Sequence, residues 1–218
     1  MTHRVVVPMK PLTSSKTRLR DVLSDAQREL LSRAMLVRVL RAAMGSDAVD
    51  EVIVVGGDNE IAQIAGVEGA SWRGEPGRDL NDTLRVLFAE TVGSVRPIES
   101  VTYLPADLPL VTADDVTALV LGSSDGRSIV VAPDRSAQGT NGLTVPSGIA
   151  FVTLLGESSF TKHLAAIEGA GLVSRLCERE GLAFDVDVPA DLDDLLRMEP
   201  SWWEIARSLA GADAGVGA

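Results

Sequence analysis

The chain has 218 residues, of which 45% are hydrophobic and 23% are charged. This composition supports one domain with an ordinary buried core and excludes global disorder. A formal net charge of −11 argues against a large electrostatic surface for nucleic acid. No apolar run approaches the roughly 20 residues of a membrane span, the first residues are too few for a signal-peptide core, and the single cysteine, Cys177, cannot form an internal disulfide. We therefore expect a cytoplasmic protein without a nucleic-acid or membrane partner.

Strand and helix signals alternate along the chain. Predicted strands are short β-branched runs, and predicted helices show apolar residues at helical spacing after a capping residue. In chain order we predict a strand at 4–8, a helix from Ser24 or Asp25 to Gly45, a strand at 52–55, a helix at 60–65, a weak strand at 70–72, a helix from 80 or 81 to 92, a strand at 101–105, a helix at 112–121, strands at 129–132 and 142–145, a helix at 160–167, a strand at 182–186 and a closing helix from 190. This order predicts an α/β domain over residues 1–210, with a mostly parallel central sheet and helices on both faces, and a flexible tail over 211–218.

A basic loop follows the first predicted strand, at the position where parallel α/β sheets bind their ligands. It contains Lys10, Lys16 and Arg18 together with several hydroxyl side chains. The loop lacks both the Gly-Lys-Ser/Thr of a Walker A motif and the glycine fingerprint of a dinucleotide site. Because Lys and Arg neutralise phosphate charge, we expect the loop to bind a triphosphate; a plain solvated loop is the alternative.

Aspartates lie at the ends of two further predicted strands. Asp107 belongs to an Asp-Leu-Pro sequence after strand 101–105, and Asp185 and Asp187 lie at the end of strand 182–186. Two carboxylates on one face of a strand repel each other unless a cation lies between them or one is protonated. Because Mg²⁺ binds one or two such carboxylates, we predict a metal site at Asp107 and at one of the later pair. Helix capping is the alternative for Asp107 and Asp187.

Two later segments carry polar groups suited to an acidic substrate. Residues 138–142 form a polar turn that includes Thr140, and Ser159 lies at a predicted helix start, where unpaired N–H groups favour a phosphate. His163 follows one turn later. Simple capping is an equal alternative for Ser159, and a packing or surface role is the commoner one for a lone histidine.

Taken together, these segments resemble the CofC/FbiD family, nucleotidyltransferases that attach GMP to a three-carbon phospho-acid in coenzyme F420 biosynthesis. The matching motifs are Lys-Pro-Leu at 10–12 with Ser-Lys-Thr-Arg-Leu at 15–19, Asp-Leu-Pro at 107–109, Gly-Thr-Asn at 139–141, Gly-x-x-Ser-Phe-x-x-His at 156–163 and Asp-Val-Asp-Val-Pro-Ala-Asp-Leu at 185–192. The Gly-Thr-Asn and Gly-x-x-Ser-Phe-x-x-His motifs point to this family in particular. Val188 departs from the threonine usual there, and residues 136–138 lack a Gly-Thr pair often found at that place.

The resemblance implies a single-domain, Rossmann-like and glycosyltransferase-A-like nucleotidyltransferase fold. It implies that GMP is transferred from GTP, with Mg²⁺, to phosphoenolpyruvate, giving enolpyruvoyl-2-diphospho-5'-guanosine and pyrophosphate. The acceptors 2-phospho-L-lactate and 3-phospho-D-glycerate are alternatives. A molybdenum-cofactor-type nucleotidyltransferase and a non-catalytic nucleotide-binding domain are further alternatives. The implied partner protein is the downstream transferase of the F420 pathway, and a homodimer stays an open alternative.

The resemblance also assigns roles to individual residues. It implies catalytic roles for Lys10, Lys16, Arg18 and Asp107. The implied nucleotide contacts are Pro8, Met9, Lys10, Leu12, Lys16, Asn81 and Ala106; the loop before the helix that starts at Leu80 would touch the base, with Asn81 as its first candidate. The phospho-acid would be bound by Thr140, Gly156, Ser159 and His163. Mg²⁺ would be bound by Asp107, Asp185 and Asp187.

Overall fold

A central β-sheet organises the computed structural model, which describes residues 2–90 and 97–211. Its seven strands are β1 (Thr2–Pro8), β2 (Glu51–Val55), β3 (Ser71–Arg73), β4 (Ile98–Tyr103), β5 (Ser128–Pro133), β6 (Thr140–Pro146) and β7 (Val173–Leu176). They lie in the order β3-β2-β1-β4-β6-β5-β7. Neighbouring strands pair in parallel, except that β6 is antiparallel to β4 and β5. The predicted mostly parallel sheet is confirmed.

Helices cover both faces of this sheet, as predicted. They are α1 (Asp25–Met44), α2 (Asn59–Val67), α3 (Leu80–Ala89), α4 (Ala113–Leu121), α5 (Ser159–Gly169), α6 (Glu180–Ala183), α7 (Pro189–Met198) and α8 (Trp202–Gly211). Buried residues of α3 and α5 share one hydrophobic core, and those of the other helices share the opposite core. None of the helices in the described part of the chain is both long and apolar enough to cross a membrane.

Local sequence explains how the first strand and helix form. In β1, Val5 and Val7 pack into one core and Val6 into the other, because successive side chains of a strand point to opposite faces. Helix α1 begins after Ser24, whose hydroxyl accepts from the backbone N–H of Gln27, while the Gln27 side chain accepts from the N–H of Ser24. This capping box decides between the two predicted caps in favour of Ser24.

The predicted strand at 182–186 is wrong. Residues 180–183 form the short helix α6, and the segment after it pairs with no strand. The alternating apolar residues Leu182, Phe184 and Val186 are indeed buried, but they pack as an irregular segment because β7 occupies this side of β5. Strand β7 was missed because all four of its residues are exposed and show no buried face.

The chain also ends differently from the prediction. The single closing helix from residue 190 is two helices, α7 and α8, and the fully buried Trp202 belongs to the core that α1 shares. The predicted end of the third helix at residue 92 and the tail from residue 212 lie outside the described residues. The division into a domain and a flexible tail stays a prediction.

The reversed strand β6 shapes the ligand-binding edge. Because β6 runs antiparallel to β4, with Tyr103 opposite Leu143, its first residues lie at the edge where β1, β4 and β5 end. Thr140 and Asn141 therefore lie at the same edge as the loops that follow β1 and β4.

Candidate active site

A cavity of about 450 Å³ lies where β1 and β4 end. The β1–α1 loop forms one wall, and the β4–α4 loop and the segment before α7 form others. Of the predicted nucleotide, catalytic and metal-binding residues, those that line the cavity are Pro8, Met9, Lys10, Lys16, Arg18, Ala106, Asp107 and Asp187. These residues come from distant parts of the sequence, and the fold brings them into one site.

Lys16 lies between two aspartates of this cavity. Its Nζ donates to Oδ2 of Asp107 at 2.7 Å and to Oδ1 of Asp187 at 2.9 Å, with only 10% of the Lys16 side chain exposed. Burial alone would lower the pKa of Lys16, but the two carboxylates outweigh burial and raise the pKa above its usual value. Lys16 is therefore charged and joins the first loop to both acidic segments.

The backbone of the β1–α1 loop is held by a buried arginine of α1. Arg28 donates from Nη1 to the carbonyl of Ser15 at 2.9 Å, and the hydroxyl of Ser15 donates to the carbonyl of Pro11 at 3.0 Å. Both bonds involve Ser15, the residue directly before Lys16. Lys16 has a left-handed backbone conformation with φ of 51°. A non-glycine residue adopts this conformation only where its surroundings hold it, so Arg28 positions Lys16.

Two further cations of the same loop, Lys10 and Arg18, line the cavity and have few contacts with acidic side chains. The Nη1 of Arg18 lies 3.6 Å from Oδ2 of Asp187, and the Arg18 side chain is 72% exposed. Lys10 is exposed and makes no ion pair with any described residue. Both side chains are available to an anion, as expected for a triphosphate-binding loop.

The two late aspartates have opposite electrostatic environments. Burial raises the pKa of Asp185 to about 6, with a further contribution from the negative charge of Asp107. For Asp187, burial raises the pKa, but Lys16, Arg18 and Lys10 together lower it by more, so the net shift is downward. Asn141 donates from Nδ2 to Oδ1 of Asp185 at 3.1 Å. Asn141 belongs to the Gly-Thr-Asn motif at 139–141 but is not among the site residues predicted from the sequence.

Asp187 is not the cap of helix α7, so that alternative is wrong. Asp191 accepts at Oδ2 from the backbone N–H groups of Asp187 and Val188, each at 2.9 Å. Arg135 holds the other oxygen of Asp191 at 2.7 Å. Asp191 thus takes over the capping role that a threonine at position 188 would share, and the Asp187 carboxylate remains directed at Lys16.

The carboxylates of Asp107 and Asp187 are the kind of oxygen ligand that binds a hard cation such as Mg²⁺. Within residues 2–90 and 97–211, no three His, Cys, Asp or Glu side chains are gathered into a ready metal site. Instead, Asp107 and Asp187 converge on the ammonium of Lys16. Mg²⁺ is commonly bound by one or two carboxylates together with substrate oxygens and water, and Asp107 and Asp187 supply such oxygens at the place that the Lys16 ammonium occupies here. These residues therefore fit the metal that the sequence analysis predicted.

A second polar group lies beside α5. Nδ1 of His163 lies 2.9 Å from Oγ1 of Thr140, and Nε2 of His163 accepts from the backbone N–H of Leu154 at 2.8 Å. His163 is fully buried, and burial lowers its pKa to about 4. Both ring nitrogens are thus engaged by the protein, which differs from the expected direct contact of His163 with substrate.

Ser159 and Gly156 lie at the start of the same helix. Ser159 is the first residue of α5 and not its cap, because the N-cap is Ser158; the capping alternative is wrong. Ser159 is 2% exposed as a residue, and its hydroxyl makes no hydrogen bond to any described residue. Gly156 has a φ of 122°, which favours glycine, and open space lies where its Cβ would be.

Two predicted nucleotide contacts lie elsewhere. Asn81 donates from Nδ2 to the carbonyl of Leu155 at 3.1 Å, and its Oδ1 accepts from the N–H of Leu155 at 2.8 Å. Its amide therefore holds the segment before Gly156 and does not line the cavity, which contradicts a base-reading role. Leu12 is buried in the hydrophobic core. Glu75, which belongs to the loop before α3 that was expected to touch the base, lines the cavity, as does Leu80, the first residue of α3; neither residue was singled out from the sequence.

The fold is shared with enzymes that use activated nucleotides. A crystal structure from Desulfovibrio desulfuricans, assigned to the nucleotide-diphospho-sugar transferases, matches with a TM-score of 0.74, 15% identity and 98% of each chain covered. The CTP complex of CMP:2-keto-3-deoxy-manno-octonic acid synthetase matches with a TM-score of 0.61 and 14% identity, covering 92% of this chain and 99% of the other. At these identities the likeness concerns the fold, and it confirms the predicted nucleotidyltransferase architecture.

Relatives with known names are closer in sequence. The phosphoenolpyruvate guanylyltransferase of Sphaerobacter thermophilus is 37% identical, over 92% of this chain and 95% of its own length. The 3-phospho-D-glycerate guanylyltransferase of Phenylobacterium zucineum is 34% identical, over 84% of each chain. The family model described as "Guanylyl transferase CofC like" matches residues 3–199. With a basic loop, paired aspartates and these relatives over nearly its whole length, the chain belongs to the CofC-like guanylyl transferase family.

Proposed function

We propose that the chain transfers GMP from GTP to phosphoenolpyruvate and releases pyrophosphate. The observation that carries the proposal is the position of Lys16, whose Nζ lies 2.7 Å from Asp107 and 2.9 Å from Asp187 on the wall of a cavity also lined by Lys10 and Arg18. Two anionic reactants meet readily only where their charges are offset, and this wall combines cations with metal-binding oxygens.

The reaction is a displacement at phosphorus. An oxygen of the acceptor's phosphate forms a bond to the α-phosphorus of GTP. The bond from that phosphorus to the α–β bridging oxygen breaks, and the bridging oxygen leaves with the electron pair as part of pyrophosphate. No proton has to be removed from the acceptor, because a phosphate dianion is already nucleophilic at neutral pH. The protein therefore acts by alignment and charge neutralisation.

Individual side chains divide this work. Lys10, Lys16 and Arg18 bind the triphosphate and offset the charge of the leaving pyrophosphate. Asp107 and Asp187, with Asp185 beside them, would hold Mg²⁺, which when bound supplies positive charge to the phosphate oxygens. Because Lys16 occupies the space between two of these carboxylates, it exchanges part of its contact with them for contact with phosphate when GTP binds.

The acceptor binds, in this proposal, at the hydroxyl groups beside α5. Thr140 and Ser159 supply hydrogen bonds, and Gly156 leaves open space for an incoming anion. We favour phosphoenolpyruvate because the relative from Sphaerobacter thermophilus carries that name. The relative from Phenylobacterium zucineum makes 3-phospho-D-glycerate the second candidate.

The cellular setting follows from the chemistry of the substrates. GTP is a nucleotide of the cytoplasm, which supports placement of the enzyme there. The product is an activated diphosphate, and the expected consumer is the downstream transferase of the F420 pathway, in line with the family to which the chain belongs.

Mass spectrometry of reaction products tests the proposal. The protein is incubated with Mg²⁺ and GTP plus phosphoenolpyruvate, 2-phospho-L-lactate or 3-phospho-D-glycerate in turn, and pyrophosphate release is measured in parallel. We expect a GMP adduct of phosphoenolpyruvate, formed only with GTP and not with CTP or ATP. Arg20→Gln, an exposed cation of the same loop outside the cavity, serves as the matched control and keeps full activity. A product with 3-phospho-D-glycerate alone would reassign the acceptor, and no pyrophosphate with any acceptor would refute the proposal.

A further inference from the structure

The hydrogen bonds of His163 determine where its proton lies. A backbone N–H can only donate, so the bond from Leu154 N at 2.8 Å requires a lone pair on Nε2. A neutral imidazole then carries its single proton on Nδ1. Complete burial of the ring, and the downward shift of its pKa to about 4, favour this neutral form at physiological pH.

The tautomer of His163 fixes the role of Thr140 in turn. Nδ1–H donates to Oγ1 of Thr140 at 2.9 Å, so the hydroxyl is the acceptor in this bond. Its own hydrogen must then point to another acceptor, and no described residue provides one. Thr140 is only 4% exposed, so this hydrogen is largely withheld from bulk water. A buried donor without a partner is unfavourable, and a ligand oxygen would relieve it.

A second hydroxyl without a hydrogen bond to any described residue lies at the start of α5. Ser159 and His163 are four residues apart in α5 and therefore lie on the same side of the helix. Ser159 is 2% exposed as a residue, and its hydroxyl makes no hydrogen bond to any described residue. The N–H of Phe160 donates to the carbonyl of Gln138 at 3.1 Å, which ties the start of α5 to the turn that precedes Thr140.

We propose that His163 is a positioning residue: because its Nδ1–H donates to Thr140, the hydroxyl hydrogen of Thr140 is left to donate toward an oxygen of the phospho-acid that carries no hydrogen. Carboxylate and phosphate oxygens of the acceptor are such oxygens. The inference rests on the proposed function for the identity of the ligand, whereas the tautomer and the direction of the hydroxyl rest on the protein alone. His163 therefore does not touch substrate; it acts through Thr140.

Two amide substitutions separate the two hydrogen bonds of His163. In His163→Asn the amide nitrogen lies near the position of Nδ1 and still donates to Thr140. In His163→Gln the amide oxygen reaches the position of Nε2 and still accepts from Leu154, but the donor to Thr140 is lost. We expect His163→Gln to raise the KM for the phospho-acid about tenfold, with kcat and the KM for GTP nearly unchanged, and His163→Asn to stay near wild type.

A double-mutant cycle shows whether the effect passes through Thr140. Thr140→Val removes the hydroxyl, so adding His163→Gln to it should cause no further rise in the KM for the phospho-acid. Thr140→Ser keeps the hydroxyl and should retain the response to His163→Gln. Additive losses, equal effects of the Asn and Gln variants, or a parallel rise in the KM for GTP would overturn the proposal. Thermal unfolding of every variant identifies losses caused by misfolding.

A spectroscopic measurement tests the inference without any substrate. The chain has two histidines, so ¹⁵N-histidine labelling gives few signals, and those of His163 are assigned by their loss in His163→Asn. We expect a protonated Nδ1 and an unprotonated Nε2 at pH 7. The opposite tautomer, or a doubly protonated ring, would refute the inference even if the enzyme is fully active. If no acceptor gave a GMP adduct, the proposed function would be refuted, but the protonation state of His163 in the ¹⁵N spectrum would still test the inference.

Discussion

The ammonium of Lys16 should contribute measurably to the stability of the ligand-free protein, and Lys16→Met tests this. The substitution keeps much of the apolar stem but removes the charge that Asp107 and Asp187 share. Breaking a buried ion pair by removing one partner destabilises by about 3–5 kcal/mol, whereas an exposed pair contributes about 0–1 kcal/mol. The Lys16 side chain is 10% exposed, that of Asp107 27% and that of Asp187 46%, which lies between these limits. We therefore expect a loss of about 2 kcal/mol in the free energy of unfolding.

The pH dependence of this loss has a definite sign. The pKa of Asp187 is lowered in the folded protein, so its ion pair stabilises the fold above the ordinary carboxyl pKa and ceases to do so as the carboxylate takes up a proton. The loss in Lys16→Met should thus be large at pH 7.5 and shrink below about pH 4.

Urea unfolding at pH 7.5 and at a pH below about 4 measures the change in the free energy of unfolding, with Arg20→Gln as the matched control. For a chain of this size, about 2 kcal/mol corresponds to a decrease in Tm of about 4–8 °C. An unchanged unfolding midpoint at pH 7.5, or an equal decrease at both pH values, would refute the reasoning.

Four further outcomes are expected. Asp107→Asn should lower the rate of Mg²⁺-dependent pyrophosphate release at least about 100-fold while the protein still folds, as circular dichroism would show. Gly156→Ala should destabilise by about 1–3 kcal/mol, because φ of 122° is strained for alanine, and should raise the KM for the phospho-acid; a wild-type Tm would contradict this. Asn81→Ala should raise the KM for the phospho-acid more than that for GTP, since Asn81 holds Leu155 next to Gly156; the reverse order in steady-state kinetics would restore a base-reading role. Burial lowers the pKa of His163 to about 4. As the pH falls from about 6.5 to about 4, the unfolded chain therefore binds a proton at this histidine that the folded chain does not bind, and the free energy of unfolding decreases by up to about 3 kcal/mol. Unfolding titrations of His163→Asn should show a smaller loss across that window than wild type.

Most of the fold follows from local patterns. The buried runs of β1, β2, β4 and β5 are continuous because both faces of a central strand are covered, and such runs are visible in the sequence. Strand β7 lies at the edge with all its residues exposed, so no apolar pattern marks it. The alternation at 182–186 reports burial correctly, but burial alone does not say which segment pairs with the sheet.

In the candidate site, too, some residues can be predicted from local sequence, whereas others depend on contacts that form only in the folded chain. Residues after strand ends, such as Lys16 and Asp107, were found because ligands bind beyond the carboxyl ends of strands. Asp187 was also found, although the strand assumed to carry it does not exist. Arg28 and Asn81 could not be assigned correctly, because their partners, the backbone groups of Ser15 and Leu155, are visible only in the folded chain.

The reversed direction of β6 has a consequence for how such enzymes diversify. Two adjacent residues of this strand have different neighbours: Thr140 contacts α5 on one side of the sheet, and Asn141 contacts Asp185 on the other. Under the proposed function, changes in the layer beside α5 would alter the preference for the phospho-acid and leave the nucleotide-binding half intact. Grafting the 138–163 segment from a relative with another acceptor, with Asn141 retained, should accordingly exchange the preference for the phospho-acid without changing that for GTP.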